Sequence, residues 1–151
     1  MPSQPPYEIG GGSMDDPATT TSGLRVLVVD DSEDYVESVS RLLATYGCVG
    51  AVDRALSSAE ALMRMDAGGP DLMLVDVAMP DVNGFDLTRM VKAMRHPARV
   101  IIVTLYDTPT YREAAKQAGA DGFLGKSQLG EGLQRAIEQI FPGLCSGVCA
   151  G

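Results

Sequence analysis

The sequence predicts an α/β protein: a parallel β-sheet with helices on both faces. Three observations predict it. Apolar runs recur along the chain (LRVLVVD, DLMLVD and RVIIVT), as expected of strands buried on both faces. Between them lie segments whose apolar residues recur at helical spacing. Strands alternating with helices in units of this length require the right-handed crossovers of a parallel sheet.

The elements follow in order. Residues 1–23 are rich in Pro, Gly, Ser and Thr without hydrophobic period, and are expected to be a disordered tail. The GGGS at Gly10 to Ser13, followed by Met14, reads equally as a cloning remnant or as native sequence. The first strand begins at Leu24. A helix follows, with Ser32 as N-cap, Val36, Val39, Leu43 and Tyr46 on one face, and Gly47 as C-cap. A weaker strand is expected over Cys48 to Val52. Ser57 or Ser58 caps a second helix through Met65, which Gly68-Gly69-Pro70 ends.

The third strand ends at Asp76. A loop with Pro80 and Gly84 leads to a helix around Phe85 to Met94, with Phe85, Met90, Val91 and Met94 as its apolar residues. The fourth strand is Arg99 to Thr104, and a helix around Pro109 to Gln117 stops at Ala118-Gly119. A short fifth strand, Gly122 to Gly125, precedes a final helix from Gln128 to Ile140, with Leu129, Leu133, Ile137 and Ile140 on one face. The domain is expected over 24–141, with a short flexible tail over 142–151.

Composition narrows the function. The 151 residues are 45% hydrophobic and 21% charged, enough for one domain with its own core and no need of disulfides or structural metal. The formal net charge of -8 repels nucleic-acid phosphates and anionic lipid, so neither is an expected direct partner. No stretch approaches a transmembrane length and no signal peptide is visible, which predicts a cytoplasmic protein. Three cysteines, Cys48, Cys145 and Cys149, form no disulfide framework. Cys145 and Cys149 lack partners for a four-ligand zinc site, His96 being the only histidine, and read as reduced thiols in the tail.

In a parallel sheet the carboxyl ends of all strands lie on one edge, where such folds bind their ligands. Asp30 and Asp31 close the first strand, Asp76 the third, Thr104 the fourth, and Lys126 follows the fifth. Three carboxylates in one cleft repel each other and call for a hard cation such as Mg²⁺. The lysine can pair with a carboxylate and then with a phosphoryl oxygen, the threonine can donate to a second oxygen, and an aspartate can attack phosphorus. Each part of an in-line phosphoryl transfer is represented. Taken singly, each residue has a plainer explanation: an acidic pair at a helix N-terminus, a solvated turn aspartate, a good strand former, a surface lysine. Their occurrence together at successive strand ends favours the functional reading.

These residues resemble the receiver domains of response regulators in bacterial-type two-component signalling. The match runs from about Leu24 to Phe141 through VLVVDDS, DLMLVDVAMPDVNGFDL, VIIVT and AGADGFLGK. Its most specific part is the spacing of Asp76, Met79, Pro80 and Gly84. The resemblance implies a doubly wound five-stranded sheet in the flavodoxin-like order 2-1-3-4-5. It implies phosphorylation of Asp76, with Asp31 binding Mg²⁺ directly, Asp30 largely through water, and the Ala78 carbonyl as a further ligand. Thr104 and Phe123 fall at the family's switch positions, so that phosphorylation draws the hydroxyl toward the phosphoryl group and turns the ring inward. The face around the fourth helix, fifth strand and fifth helix then carries the change to a downstream protein target. The resemblance further implies a histidine kinase or a His-containing phosphotransfer protein as the donor, and a monomer or weak dimer. Such a chain catalyses its own phosphorylation and slow dephosphorylation and is not a turnover enzyme.

Two departures from the family pattern bear on the site. Ser127 follows Lys126 where a proline, often cis, is usual; a non-proline cis bond costs about 2.5–4 kcal/mol, so a trans bond is expected. Ala78 and Tyr106 stand at positions that in this family flank the route of hydrolytic water, and neither orients water well. The expectation is a long-lived phosphoryl group; Tyr106 as a partner contact competes with it. After Ile140 only FPGLCSGVCAG remains, which is consistent with a domain acting alone or with a piece of a larger regulator.

Three rival readings fit the residues less well. A docking module that works without phosphorylation would lose an acidic or lysine position, and none is lost. An aspartyl phosphatase needs a second acid where Ala78 stands. A flavodoxin-like cofactor carrier needs a phosphate loop where the pair Asp30-Asp31 would repel a nucleotide.

Overall fold

A computed structural model describes residues 23–144 of the chain. The order of elements is β1 (Leu24–Val29), α1 (Glu33–Ala44), β2 (Val49–Ala55), α2 (Ser58–Asp66), β3 (Leu72–Asp76), α3 (Gly84–Lys92), β4 (Arg99–Thr104), α4 (Pro109–Ala118), β5 (Gly122–Gly125) and α5 (Leu129–Ile140). One turn of 3₁₀ helix, Lys126–Gln128, joins β5 to α5. The strands form one sheet in the order β2-β1-β3-β4-β5, every pair parallel. That is the expected doubly wound topology.

The period-2 alternation of a strand explains how continuous apolar runs feed two cores. Val26, Val28, Leu74, Ile101 and Val103 face Val36, Val39 and Leu43 of α1 and Leu133 and Ile137 of α5. Their neighbours Leu27, Val29, Met73, Val75, Val100 and Ile102 face the opposite way, onto Ala61 and Met65 of α2, Leu87 and Val91 of α3 and Ala115 of α4. With both faces covered, β1, β3 and β4 hold their carboxyl ends rigidly at one edge.

Local signals account for most boundaries. The Ser32 hydroxyl accepts from Tyr35 N at 3.3 Å and starts α1. Ser57, the first of the two candidate serines, caps α2 through Glu60 N at 3.1 Å. Asn83 caps α3 and Thr108 caps α4, the latter with Pro109 in the first turn. Gly119 ends α4 in the left-handed conformation, φ 96°.

Four details correct the sequence reading. Gly47 is not the C-cap of α1: the helix stops at Ala44, where the Thr45 hydroxyl donates to Leu42 O at 2.6 Å. The second strand is longer than Cys48 to Val52, because its pairing with β1 continues to Ala55. The buried face of α3 is Leu87, Thr88 and Val91, while Met90 is 46% exposed. Buried Cys48 is disulfide-bonded, where the sequence reading expected no disulfide framework. The expectations for 1–22 and 145–151, Cys145 and Cys149 among them, lie outside the described residues. The Lys126–Ser127 peptide is trans, as Ser127 requires.

Candidate functional site

All five polar residues expected at the strand ends meet at the carboxyl edge of the sheet. Asp30 directly follows β1 and is 2% exposed; one oxygen accepts from Ser32 N at 2.9 Å, the other from Lys126 Nζ at 2.8 Å. Asp76, the last residue of β3, is 6% exposed and has an oxygen 3.7 Å from the same ammonium. Asp31 is exposed at the rim. One carboxylate oxygen from each of Asp30, Asp31 and Asp76 lies within 4.8 Å of the others. Formally, three negative charges face one positive charge, leaving a deficit that a small divalent cation would neutralise.

The electrostatics agree. Burial first, then the Asp30 carboxylate, push the Asp76 carboxyl up to about 6, while Lys126 and the backbone N–H groups of Ala78 and Val77 pull it down without cancelling the rise. A carboxylate destabilised in this way gains most when a cation or a covalent bond removes its charge. The donor set is all oxygen and carries several carboxylates, which fits Mg²⁺ and fits poorly a soft metal that prefers sulfur or imidazole.

The loop after β3 is shaped by Gly84. A Cβ there would collide with the Asp76 carbonyl oxygen and stand 2.9 Å from the Asp76 carbonyl carbon and from Val77 Cα. Its amide donates to Val77 O at 2.9 Å, so α3 starts hard against the end of β3. Asp81 reinforces the loop by accepting from Ser58 N and Ala59 N at the start of α2, at 3.1 and 2.9 Å. These backbone bonds hold its carboxyl down at about 2.

Thr104 is 2% exposed at the end of β4, and its hydroxyl oxygen accepts from Tyr106 N at 3.2 Å. Ala78 and Tyr106 are both exposed beside the cluster, Tyr106 with its ring 5.7 Å from that of Tyr111. Phe123 on β5 is half-buried and carries the Arg112 guanidinium 4.8 Å from its ring centre. Asp107 holds that guanidinium in two hydrogen bonds of 2.6 and 2.9 Å.

Sequence reasoning missed one residue of the site. Tyr35, in the first turn of α1, lays its ring under Lys126, with Nζ 4.1 Å from the ring centre. Its hydroxyl is buried and makes no hydrogen bond. Burial, then the Asp30 and Asp76 carboxylates, raise the phenol well above its ordinary range and keep it neutral. Helical spacing placed Val36 and Val39 in the core but carried no signal that the neighbouring Tyr35 meets a residue 91 positions away in sequence.

Comparison with known proteins agrees with this geometry. The profile of the response regulator receiver domain matches residues 26–138. The chain is a response regulator receiver domain. It is 34% identical over 114 residues to the probable transcriptional regulatory protein NarL of Mycobacterium tuberculosis, covering 76% of this chain and 53% of that protein. It is 31% identical over 120 residues to the response regulator GacA of Pseudomonas aeruginosa, covering 80% and 56%. The receiver thus spans about half the length of the curated relatives it matches. The solved NarL receiver domain from M. tuberculosis superposes with a TM-score of 0.70 at 32% identity, over 81% of this chain and 98% of that one. A two-component response regulator of the LuxR family from Aurantimonas gives 0.75 at 30%, over 81% and 87%. Among the described residues no helix is long and apolar enough to cross a membrane.

Proposed function

We propose that this receiver accepts a phosphoryl group on Asp76 in a Mg²⁺-dependent reaction and passes the change to a protein partner. One observation carries the reading: the burial-raised Asp76 carboxyl stands at the sheet edge clustered with Asp30 and Asp31, with the Lys126 ammonium 3.7 Å from it and bonded to Asp30. Asp76, Asp31 and, through water, Asp30 would hold the ion, with the Ala78 carbonyl as a further ligand. When bound, the ion screens the carboxylates from the incoming phosphoryl group and offsets the charge that develops on its oxygens.

The chain's own groups do the rest. An Asp76 carboxylate oxygen forms the new bond to phosphorus as the bond to the donor oxygen breaks; with acetyl phosphate, acetate leaves carrying the electron pair. Lys126 supplies a point charge to one phosphoryl oxygen and Thr104 a hydroxyl to another. Moving the Thr104 hydroxyl toward the phosphate releases Tyr106 N and opens space beside β4, into which Phe123 turns from under Arg112. The α4-β5-α5 face is then the switched surface. Ala78 and Tyr106 leave the acyl phosphate without a side chain suited to orient water, which prolongs its life.

The donor is a histidine kinase or a His-containing phosphotransfer protein, and the target is a protein bound by the switched face of a cytoplasmic monomer or weak dimer. A relative at 33% identity is a DNA-binding transcriptional activator, DevR/DosR of M. tuberculosis. The acidic receiver itself is not the nucleic-acid-contacting part, given its net charge of -8. Intact-mass measurement with acetyl phosphate and Mg²⁺ tests the reading. One phosphate per chain is expected on the wild type, none on Asp76→Asn, and slowed uptake on Lys126→Gln. No uptake by a folded wild type that binds Mg²⁺ would favour docking without phosphorylation.

A further inference from the structure

The backbone of Lys126 does not by itself fix where its long side chain puts the ammonium. Lys126 is followed by Ser127 in a single 3₁₀ turn that has no side-chain cap. A lysine side chain has up to about 2 kcal/mol of rotamer entropy to lose on ordering, so something must define where its ammonium rests. The salt bridge to Asp30 at 2.8 Å supplies one anchor, but it draws the ammonium away from Asp76, which is 3.7 Å off. A single carboxylate is a point attractor. An aromatic face is a broad one, and it keeps attracting the cation while the ammonium shifts between two anions.

The Tyr35 ring is that face. Its backbone is fixed by the N-cap of α1, where Tyr35 N donates to Ser32 Oγ at 3.3 Å. It lines the same small cavity, about 10 Å³, as Asp30, Asp76 and Leu129. The Lys126 side chain is only 15% exposed, so the cation meets the ring largely out of water, where such contacts are strongest. The phenol oxygen makes no hydrogen bond, so the hydroxyl contributes no tether and the ring is the part that acts.

We infer that Tyr35 is a positioning residue for phosphoryl transfer: its ring holds the Lys126 ammonium between Asp30 and Asp76, at the place from which it meets the incoming phosphoryl oxygen. The inference rests on the reading of Asp76 as the phosphoacceptor. It separates three variants that a purely structural role would not. Tyr35→Phe keeps the ring and phosphorylates within about twofold of wild type. Tyr35→Leu keeps bulk without the ring and slows phosphorylation about threefold to tenfold, roughly 0.6 to 1.4 kcal/mol at about 1.36 kcal/mol per tenfold. In a Lys126→Gln background, Tyr35→Leu has no further effect, because the cation it positions is gone.

The test uses the full 151-residue chain with acetyl phosphate and Mg²⁺, following uptake by intact mass. NMR of the lysine ε-methylene protons serves as a second readout that needs no reaction. In the wild type and Tyr35→Phe, ring current should move the Lys126 resonances upfield of those of exposed Lys116, and in Tyr35→Leu the shift should vanish. The slowing in Tyr35→Leu, its rescue by Phe and its disappearance without Lys126 are the expected results. An unshifted Lys126 in the wild type overturns the inference even if Tyr35→Leu fails to fold. Equal rates in Tyr35→Leu and wild type, or a loss in Tyr35→Leu that persists in full without Lys126, overturn it while leaving Asp76 phosphorylation intact. A wild type that takes up no phosphate overturns the phosphoacceptor reading, and the role of Tyr35 falls with it.

Discussion

Replacing Asp76 by asparagine should stabilise the fold. Asp76 is nearly buried, and burial together with Asp30 raises its carboxyl from 3.8 to about 6. The folded state therefore holds the proton more tightly than the unfolded state, and ionisation costs stability. The sign follows: Asp76 weakens the fold least below pH 3.8, and the cost grows as pH rises, becoming complete once pH passes about 6. At about 1.36 kcal/mol per unit, the full cost approaches 3 kcal/mol. Asparagine keeps the shape and can still accept from the Val77 and Ala78 amides, while Lys126 retains Asp30 at 2.8 Å. A gain of about 2 kcal/mol at pH 8 without divalent cation, roughly 4–8 °C in Tm, is the working expectation. Urea unfolding of both proteins in chelator from pH 4 to pH 8 measures it. The gap should shrink toward zero at the acid end, and Mg²⁺ at pH 8 should narrow it by stabilising the wild type more. An asparagine variant no more stable than wild type at pH 8, or a gap independent of pH, would refute the account of a carboxylate held against its environment.

Other consequences follow from the same geometry. Gly84→Ala places a methyl against the Asp76 carbonyl and should destabilise by at least about 1–3 kcal/mol while weakening Mg²⁺ affinity, both read from denaturation with and without the ion. Leu87→Ala, by contrast, empties a fully buried site in α3 and should cost about 2–5 kcal/mol in urea with phosphorylation intact in the folded fraction. Asp81→Asn should lower Tm at neutral pH, with the deficit fading as pH falls through about 2, because its carboxylate accepts two backbone bonds at the start of α2. Ala78→Asn and Tyr106→Glu should shorten the lifetime of the phosphorylated form; unchanged decay in both would show that these positions do not govern access of water.

The strands were legible because a parallel sheet covered on both faces demands uninterrupted apolar runs, and LRVLVV, LMLVD and RVIIVT have few other uses. Asp30, Asp76, Thr104 and Lys126 were legible for a related reason, since the topology alone brings strand ends to one edge. What escaped was decided by side chains meeting across elements. Gly47 has the composition of a helix C-cap, yet the Thr45 hydroxyl ends α1 first. Met90 lies within reach of the same helical stripe as Leu87, and only the packing of α3 on its neighbours shows that Leu87 is buried and Met90 is not. The edge strand β2 has a half-exposed pattern that says little about its length. Tyr35 under Lys126 and Arg112 over Phe123 are contacts between a helix and a distant loop or strand, which no local pattern encodes.

The central claim is that Asp76 carries the phosphoryl group. Borohydride reduction of the acetyl-phosphate-treated protein, followed by peptide mass mapping, tests it at the level of the residue. The account predicts conversion of residue 76 to homoserine, dependent on Mg²⁺ and confined to that position. Conversion at Asp30 or Asp31 instead, or none in a protein shown to bind Mg²⁺, would contradict it.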